Sequence, residues 1–161
     1  MQLQGTRFGD LEYTPDKVIE FPRGILGFPD HRHFLAIPHP AGGPFAWLQT
    51  LEDPALAFPV IDPTLFRPDY RPQVRQEDMA ALELASIRDG IFLALCVIPA
   101  DPSQMRANLV APVVVNPVAR RGMQVVLENT DYKLCHYILQ ELAERLPKEE
   151  EVPQAAAAVG G

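Results

Sequence analysis

Proline sets the limits on this fold. Seventeen of the 161 residues are proline, about twice the usual share of roughly 5%. The proline ring fixes φ and removes a backbone donor, so it sits poorly inside helices and central strands. The first three-quarters of the chain therefore reads as short elements joined by fixed turns. Apolar residues make up 47% of the chain, enough for a globule with its own core, and the length suits one domain. About nine short strands and two short helices, with no alternation of strands and long helices, point to a mainly β fold. The expected architecture is a compact antiparallel β-barrel or sandwich-like domain with one or two short helices, including a C-terminal one.

Along the chain, Gln2–Phe8 reads as a strand, Gly9-Asp10 as a turn, and Leu11–Tyr13 as the returning strand of a hairpin. A short apolar piece, Val18–Phe21, leads into Phe21–Pro29. There two glycines and two prolines shape a loop whose large apolar residues pack down. Strands are expected at Phe34–Ile37, Ala46–Leu51 and Ala57–Asp62, and a short helix at Gln76–Leu84, with Glu77 and Asp78 in its first turn. The apolar run within Gly90–Ile98 reads as a strand buried on both faces. Ala107–Val110 and Val113–Asn116 are separated by Pro112, which implies a bulge or a sheet edge. Arg120-Arg121-Gly122 turns into Met123–Leu127. Cys135, Ile138, Leu139, Leu142 and Leu146 recur at helical spacing, and Pro147 stops that helix. Residues 1–147 are thus read as one β domain and 148–161 as a disordered, acidic, alanine-rich tail.

The formal net charge is −7 and the pI about 5.0. Such a surface repels phosphate backbones, which disfavours direct nucleic-acid binding, and attracts basic partners. Met1–Glu12 lacks the pattern of a secretory leader, and Ile91–Pro99 is too short to span a bilayer. With only Cys96 and Cys135, no disulfide framework is expected; a cytoplasmic protein with no membrane contact is.

The residues offer little for catalysis. Ser86 and Ser103 lie in no nucleophile elbow. Cys135-His136 reads as a core cysteine beside a surface histidine, and His31-x-His33 as a solvated loop pair, too few ligands for a metal. Glu52, Asp53, Asp62 and Asp69 are an acid/base set on one reading; on the other, the three aspartates beside prolines hold turns. No cofactor, metal or catalytic residue is expected.

The aromatic spacing is more informative. Phe45, Trp47, Phe58, Phe66 and Tyr70 lie close together in sequence. The simple reading is core. Phe66 and Tyr70, however, flank Pro68 in a proline-rich connection where full burial is hard to arrange, and an aromatic on a stiff loop makes a good protein anchor.

This stretch also carries a resemblance. Pro44-Phe45-Ala46-Trp47-Leu48-Gln49, Glu52-Asp53-Pro54, Ala57-Phe58-Pro59-Val60-Ile61-Asp62-Pro63 and Phe66-Arg67-Pro68-Asp69-Tyr70 resemble the flagellar assembly factor FliW family. So do Phe21-Pro22-Arg23-Gly24-Ile25-Leu26-Gly27-Phe28, the pair of segments in Ala107–Asn116, and Arg121–Leu127. The resemblance runs over residues 3–136. Beyond it, the helix and the alanine-rich tail read as belonging to this chain alone.

The resemblance implies a partner switch without covalent chemistry. Such a protein binds newly made flagellin in the cytoplasm; once freed, it binds the RNA-binding translational regulator CsrA and relieves repression of the flagellin message. The residues expected to meet partners are Phe45, Asp53, Asp62, Phe66, Asp69 and Tyr70, with the aspartates facing the basic regulator and Phe66 and Tyr70 facing flagellin. The alternatives are a small β-barrel hydrolase and a structural subunit of a larger assembly.

Overall fold

The computed structural model describes residues 1–40, 42–128 and 130–145; the expected tail, 148–161, lies outside them. The chain opens with a hairpin, β1 (Gln2–Thr6) and β2 (Gly9–Glu12), which forms a sheet of its own. The remaining strands are β3 (Ile19–Glu20), β4 (His33–Pro38), β5 (Phe45–Thr50), β6 (Ala57–Ile61), β7 (Ile91–Val97), β8 (Arg106–Ala107), β9 (Val113–Asn116), β10 (Arg121–Gln124) and β11 (His136–Tyr137). Among the described residues, β3, β4, β5, β6, β7, β9 and β10 close on themselves through a β7–β9 pairing, so the architecture is a barrel. All its pairings are antiparallel except β3–β10, which is parallel and joined at Glu20 and Arg121.

Side-chain alternation builds the barrel from within. Ala46 faces Val60 and Leu48 faces Phe58 across β5 and β6. These inward residues meet Ile19, Phe21, Ile25, Phe34, Val113, Val115, Leu93 and Leu95 in the central core. The Phe21–Pro29 loop plugs one side. Gly24 is left-handed there (φ +67°), and a Cβ on it would collide with the Phe28 carbonyl, so this tight turn needs glycine. Phe21 and Ile25 are buried, whereas Leu26 and Phe28 stay exposed.

Two further clusters cover the outside of the barrel. A helix, α1 (Gln76–Ala81), is shorter at its C-terminal end than the sequence suggested: Glu83 turns left-handed (φ 59°) and Leu84 N–H donates to the Met79 carbonyl. Met79, Leu82 and Leu84 lie over Val114, Met123, Val125 and Leu127. The proline-rich connection after β6 packs over the outer face of β6, β7 and β8.

β7 corrects one expectation. It is not buried along both faces: Ile91 and Val97 are exposed at its ends, and only its middle is sandwiched between barrel interior and outer clusters. Its partners change along its length, from β9 to β6 to β8, so no single neighbour covers all of it. Pro59 marks one limit. The β6–β7 ladder holds Val60 and Ile61 and stops there, since a proline has no N–H to extend it. The break at Pro112 is real: Asn108–Pro112 loops out between β8 and β9, with Asn108 Oδ1 accepting from Val110 N–H and Ala111 N–H.

The C-terminal helix, α2 (Ile138–Arg145), is present, but Cys135 precedes it and Leu139 and Leu142 are exposed; Leu146 lies outside the described residues. Among the described residues no helix is long and apolar enough to cross a membrane.

The two thiols differ sharply. Cys96 is buried, which pushes its thiol up to about 12, while Cys135 is exposed. A maleimide is expected to modify one cysteine of the folded chain quickly and the second only after denaturation. Fast labelling of both would contradict the packing of β7.

Candidate protein-docking site

The residues singled out in the sequence do not share one surface. Asp53 lies in the β5–β6 turn and Asp62 just past the far end of β6. Asp53 Oδ1 accepts from Ala55 N–H at 2.9 Å; Asp62 Oδ1 accepts from Thr64 N–H at 2.9 Å and from its hydroxyl at 2.7 Å. Both therefore hold turns, as the proline context suggested, while remaining exposed. Asp69 is exposed and sits 3.8 Å from Arg67 Nε.

The turn carrying Asp53 is organised from beneath by buried Gln49. Its Nε2 lies 2.9–3.3 Å from the carbonyls of Thr50, Asp53, Pro54 and Leu56. The neighbouring Glu52 carboxylate collects His33 Nδ1 at 2.6 Å, the Thr50 hydroxyl at 3.0 Å, and the N–H groups of Arg32 and His33 at 3.2 Å. Burial pushes its pKa up, but the hydrogen bonds from His33 and Thr50 outweigh this and hold it below the ordinary carboxylate value. His31 Nδ1 lies 2.9 Å from the Thr50 hydroxyl. The two histidines are thus tied to this turn rather than solvated in a loop. Among the described residues, no three His, Cys, Asp or Glu side chains form a metal-binding group.

Phe66 and Tyr70 are not exposed anchors. Phe66 is 0% exposed and Tyr70 7%. They pack against Ile61, Ala94, Cys96, Ala107 and Leu109, and the Tyr70 hydroxyl donates to the Leu109 carbonyl at 2.7 Å. A barrel with apolar residues on its outer face can bury a proline-rich segment that a lone strand could not. Burial also raises the Tyr70 pKa, with the neighbouring Tyr132 adding to the shift.

A cleft of about 670 Å³ lies between α2 and the loop before β11. It holds Arg67, His136 and Glu141. Lys133 N–H donates to His136 Nε2 at 2.8 Å. The proton therefore rests on Nδ1, which faces Glu141 Oε2 at 2.7 Å. Arg67 Nη1 stands 3.4 Å from Glu141 Oε1. Cys135 and His136 reverse the sequence reading: the cysteine is exposed and the histidine buried. They precede and enter a strand, where neighbours point to opposite faces. With both nitrogens committed, His136 has no lone pair to activate the adjacent thiol. The cleft is a mutually neutralised ionic cluster that pins α2 to the barrel.

A different surface is apolar and open. Phe45, Trp47 and Pro59 project outward from β5 and β6, since their strand neighbours Ala46, Leu48, Phe58 and Val60 turn inward. Trp47 and Pro59 face each other across the ladder. Ile98 and Met105, from the β7–β8 connection, form one wall, and Arg7 and His39 complete a groove of about 460 Å³. The tip of the β1–β2 hairpin leans on it. The Phe8 ring meets Trp47 edge-on at 5.7 Å, and Arg7 Cζ lies 4.1 Å from the Trp47 ring centroid. Of the residues expected at a partner surface, Phe45 lies here. Trp47, Pro59, Ile98, Met105 and Arg7 were missed. The signal for the first two was strand alternation, which sends Ala46 and Leu48 inward beside Trp47, and Phe58 and Val60 inward beside Pro59; no local signal marks the others.

Comparisons with known proteins agree with this architecture. The FliW protein family model matches residues 2–138. Flagellar assembly factors FliW from Bdellovibrio bacteriovorus and Thermoanaerobacter pseudethanolicus are each 40% identical to the chain. The first aligns over 91% of this chain and 83% of its own length, the second over 88% and 95%. The flagellar assembly factor FliW of Alkaliphilus metalliredigens is 36% identical over 100% of this chain and 99% of its own. The segment beyond residue 136 therefore has a counterpart there and does not belong to this chain alone. A crystal structure of the flagellar assembly factor FliW superposes with a TM-score of 0.80 at 29% identity, covering 86% of this chain and 96% of that one.

Proposed function

The chain belongs to the FliW family of flagellar assembly factors, and from that premise we propose that it is a cytoplasmic docking protein with two alternative partners. It holds newly made flagellin. When released, it binds a CsrA-type RNA-binding regulator and relieves the block on flagellin synthesis. The observation that carries this reading is the open apolar groove over Phe45, Trp47 and Pro59. Exposed apolar grooves on soluble domains mark docking sites, and an amphipathic segment of flagellin has the matching chemistry, its apolar stripe lying in the groove.

The regulator has a different requirement. A protein that grips RNA phosphates is basic. The net charge of −7, with exposed Asp53, Asp62 and Asp69 spread around the barrel, favours a basic partner and repels RNA beside it. The carboxylates do not converge on a single patch, so they act as a field.

Calorimetric titration of the purified chain with flagellin and with CsrA tests this. Both are expected to bind, and saturating flagellin is expected to prevent the CsrA interaction. CsrA affinity is expected to fall about tenfold from low to high salt, with flagellin affinity changing far less. Binding of neither partner would refute the reading. Salt-independent CsrA binding would remove the aspartates from it.

A further inference from the structure

Arg7 is held in a fixed pose at the lip of the groove with its donors unspent. It lies in the turn of the β1–β2 hairpin, which Thr6 pins: Phe8 N–H donates to Thr6 Oγ1 at 3.0 Å, and that hydroxyl donates to the Gly9 carbonyl. Phe8 anchors the tip on Trp47. The guanidinium lies 4.1 Å from the Trp47 ring centroid and 5.9 Å from that of Phe8. An arginine stacked on an indole keeps five N–H donors in the plane of its fork, the geometry that receives a carboxylate through two parallel bonds. Among the described residues no acidic group pairs with Arg7.

The charge around it points the same way. The groove is lined by Phe45, Trp47, Pro59, Ile98 and Met105, with Arg7 and His39 as its polar members; no acid is among them. On a chain of net charge −7, this is a local reversal of sign. We propose that the groove selects an apolar segment carrying an aspartate or glutamate side chain, which Arg7 receives while the apolar residues cover Trp47 and Pro59. This rests on the docking reading above and specifies the ligand of that same groove.

The carboxylate is a side chain rather than a chain end. Terminal carboxylates are captured by clusters of free backbone N–H groups. The floor strand β5 is paired on both edges, to β4 through Ile37 and Trp47 and to β6 through Trp47 and Pro59, so its ladders are filled. What the groove offers is one cationic fork. A consequence follows for partner choice. A strongly basic segment is repelled from this lip, so charge adds to shape in choosing which segment occupies the groove.

The test uses three synthetic amphipathic peptides, acetylated and amidated at their ends. They are identical except for Glu, Gln or Lys at the polar position bordering the apolar stripe. Each is titrated into the full chain and into Arg7→Glu, and melting curves confirm that this exposed substitution leaves the fold intact. The wild-type chain is expected to bind the Glu peptide about tenfold more tightly than the Lys peptide, with Gln between, and Arg7→Glu to reverse that order. Equal affinities, or an order unchanged in Arg7→Glu, would overturn the carboxylate assignment while the docking reading stands. The Gln peptide is also made with a free C-terminus; if that form binds as tightly as the amidated Glu peptide and does so equally in Arg7→Glu, the assignment is overturned in favour of a chain end. No binding of any peptide to the wild-type chain would overturn both.

Discussion

Phe66→Ala is expected to destabilise the chain by about 4 kcal/mol, the usual cost of truncating a fully buried phenylalanine. The side chain is 0% exposed and is enclosed by Ile61, Tyr70, Ala94 and Leu109. Alanine would forfeit its burial and leave a cavity, because the flanking proline-rich backbone is stiff and the strands beneath are held by their ladders. Equilibrium urea denaturation reads the loss directly, and the melting temperature should fall by about 10 °C. A loss below about 1 kcal/mol would show that the ring is not packed as described. That result would restore Phe66 as a candidate partner anchor.

Trp47→Ala should show the opposite profile. The indole is half-buried and forms the groove floor beneath Arg7 and beside Phe8. Its removal is expected to cost stability about 2 kcal/mol through lost apolar contact, about half the Phe66 loss. Flagellin affinity is expected to fall about 100-fold, because aromatic residues at the centre of an interface carry a disproportionate share of binding. The measurement is a titration of wild-type and variant chains, with urea curves run in parallel. Affinity within about threefold of wild type would move the docking site elsewhere on the barrel. The pair of substitutions separates two roles that the sequence presents alike, building the fold and meeting a partner.

The reason these roles were confused is physical. Strands at Ala46–Leu51 and Ala57–Asp62 were legible and consecutive side chains of a strand point to opposite faces, but with apolar residues at nearly every position the sequence does not say which face is inner. The mainly β character, the hairpin at the start, the break at Pro112 and the helix at the end followed from the short apolar runs, the turn residues and the prolines. What periodicity does not carry is which loops return to cover a strand from outside. Phe66 and Tyr70 are buried only because β6, β7 and β8 present Ile61, Ala94, Cys96 and Ala107 outward, and nothing within residues 63–72 reveals that surface. The same cause limits the reading of β7. Its apolar run is long, yet its ends pass beyond the clusters that bury its middle. Closure of the barrel was likewise hidden, since it passes through two-residue β3 and a parallel contact between Glu20 and Arg121, distant in sequence.

The groove was partly legible: Phe45, named from the sequence, lines it, while the three aspartates are exposed but lie outside its lining. The rest of the groove is assembled by long-range packing: a hairpin turn supplies Arg7, and the β7–β8 connection supplies Ile98 and Met105. Residues contributed singly by separate segments leave no pattern in any one of them. Cys135 and His136 were interchanged for a related reason. The amphipathic spacing extends one turn upstream of the true helix, where the backbone is instead extended and paired with β8.

Trp47 is the chain's single tryptophan, and it lies in the groove, so its fluorescence reports directly on occupancy. Flagellin with any tryptophan changed to phenylalanine is titrated into the chain with excitation of the indole. The groove account predicts a saturable blue shift of Trp47 emission, following the same binding curve as calorimetry. Complex formation by calorimetry with no change in that emission would contradict it.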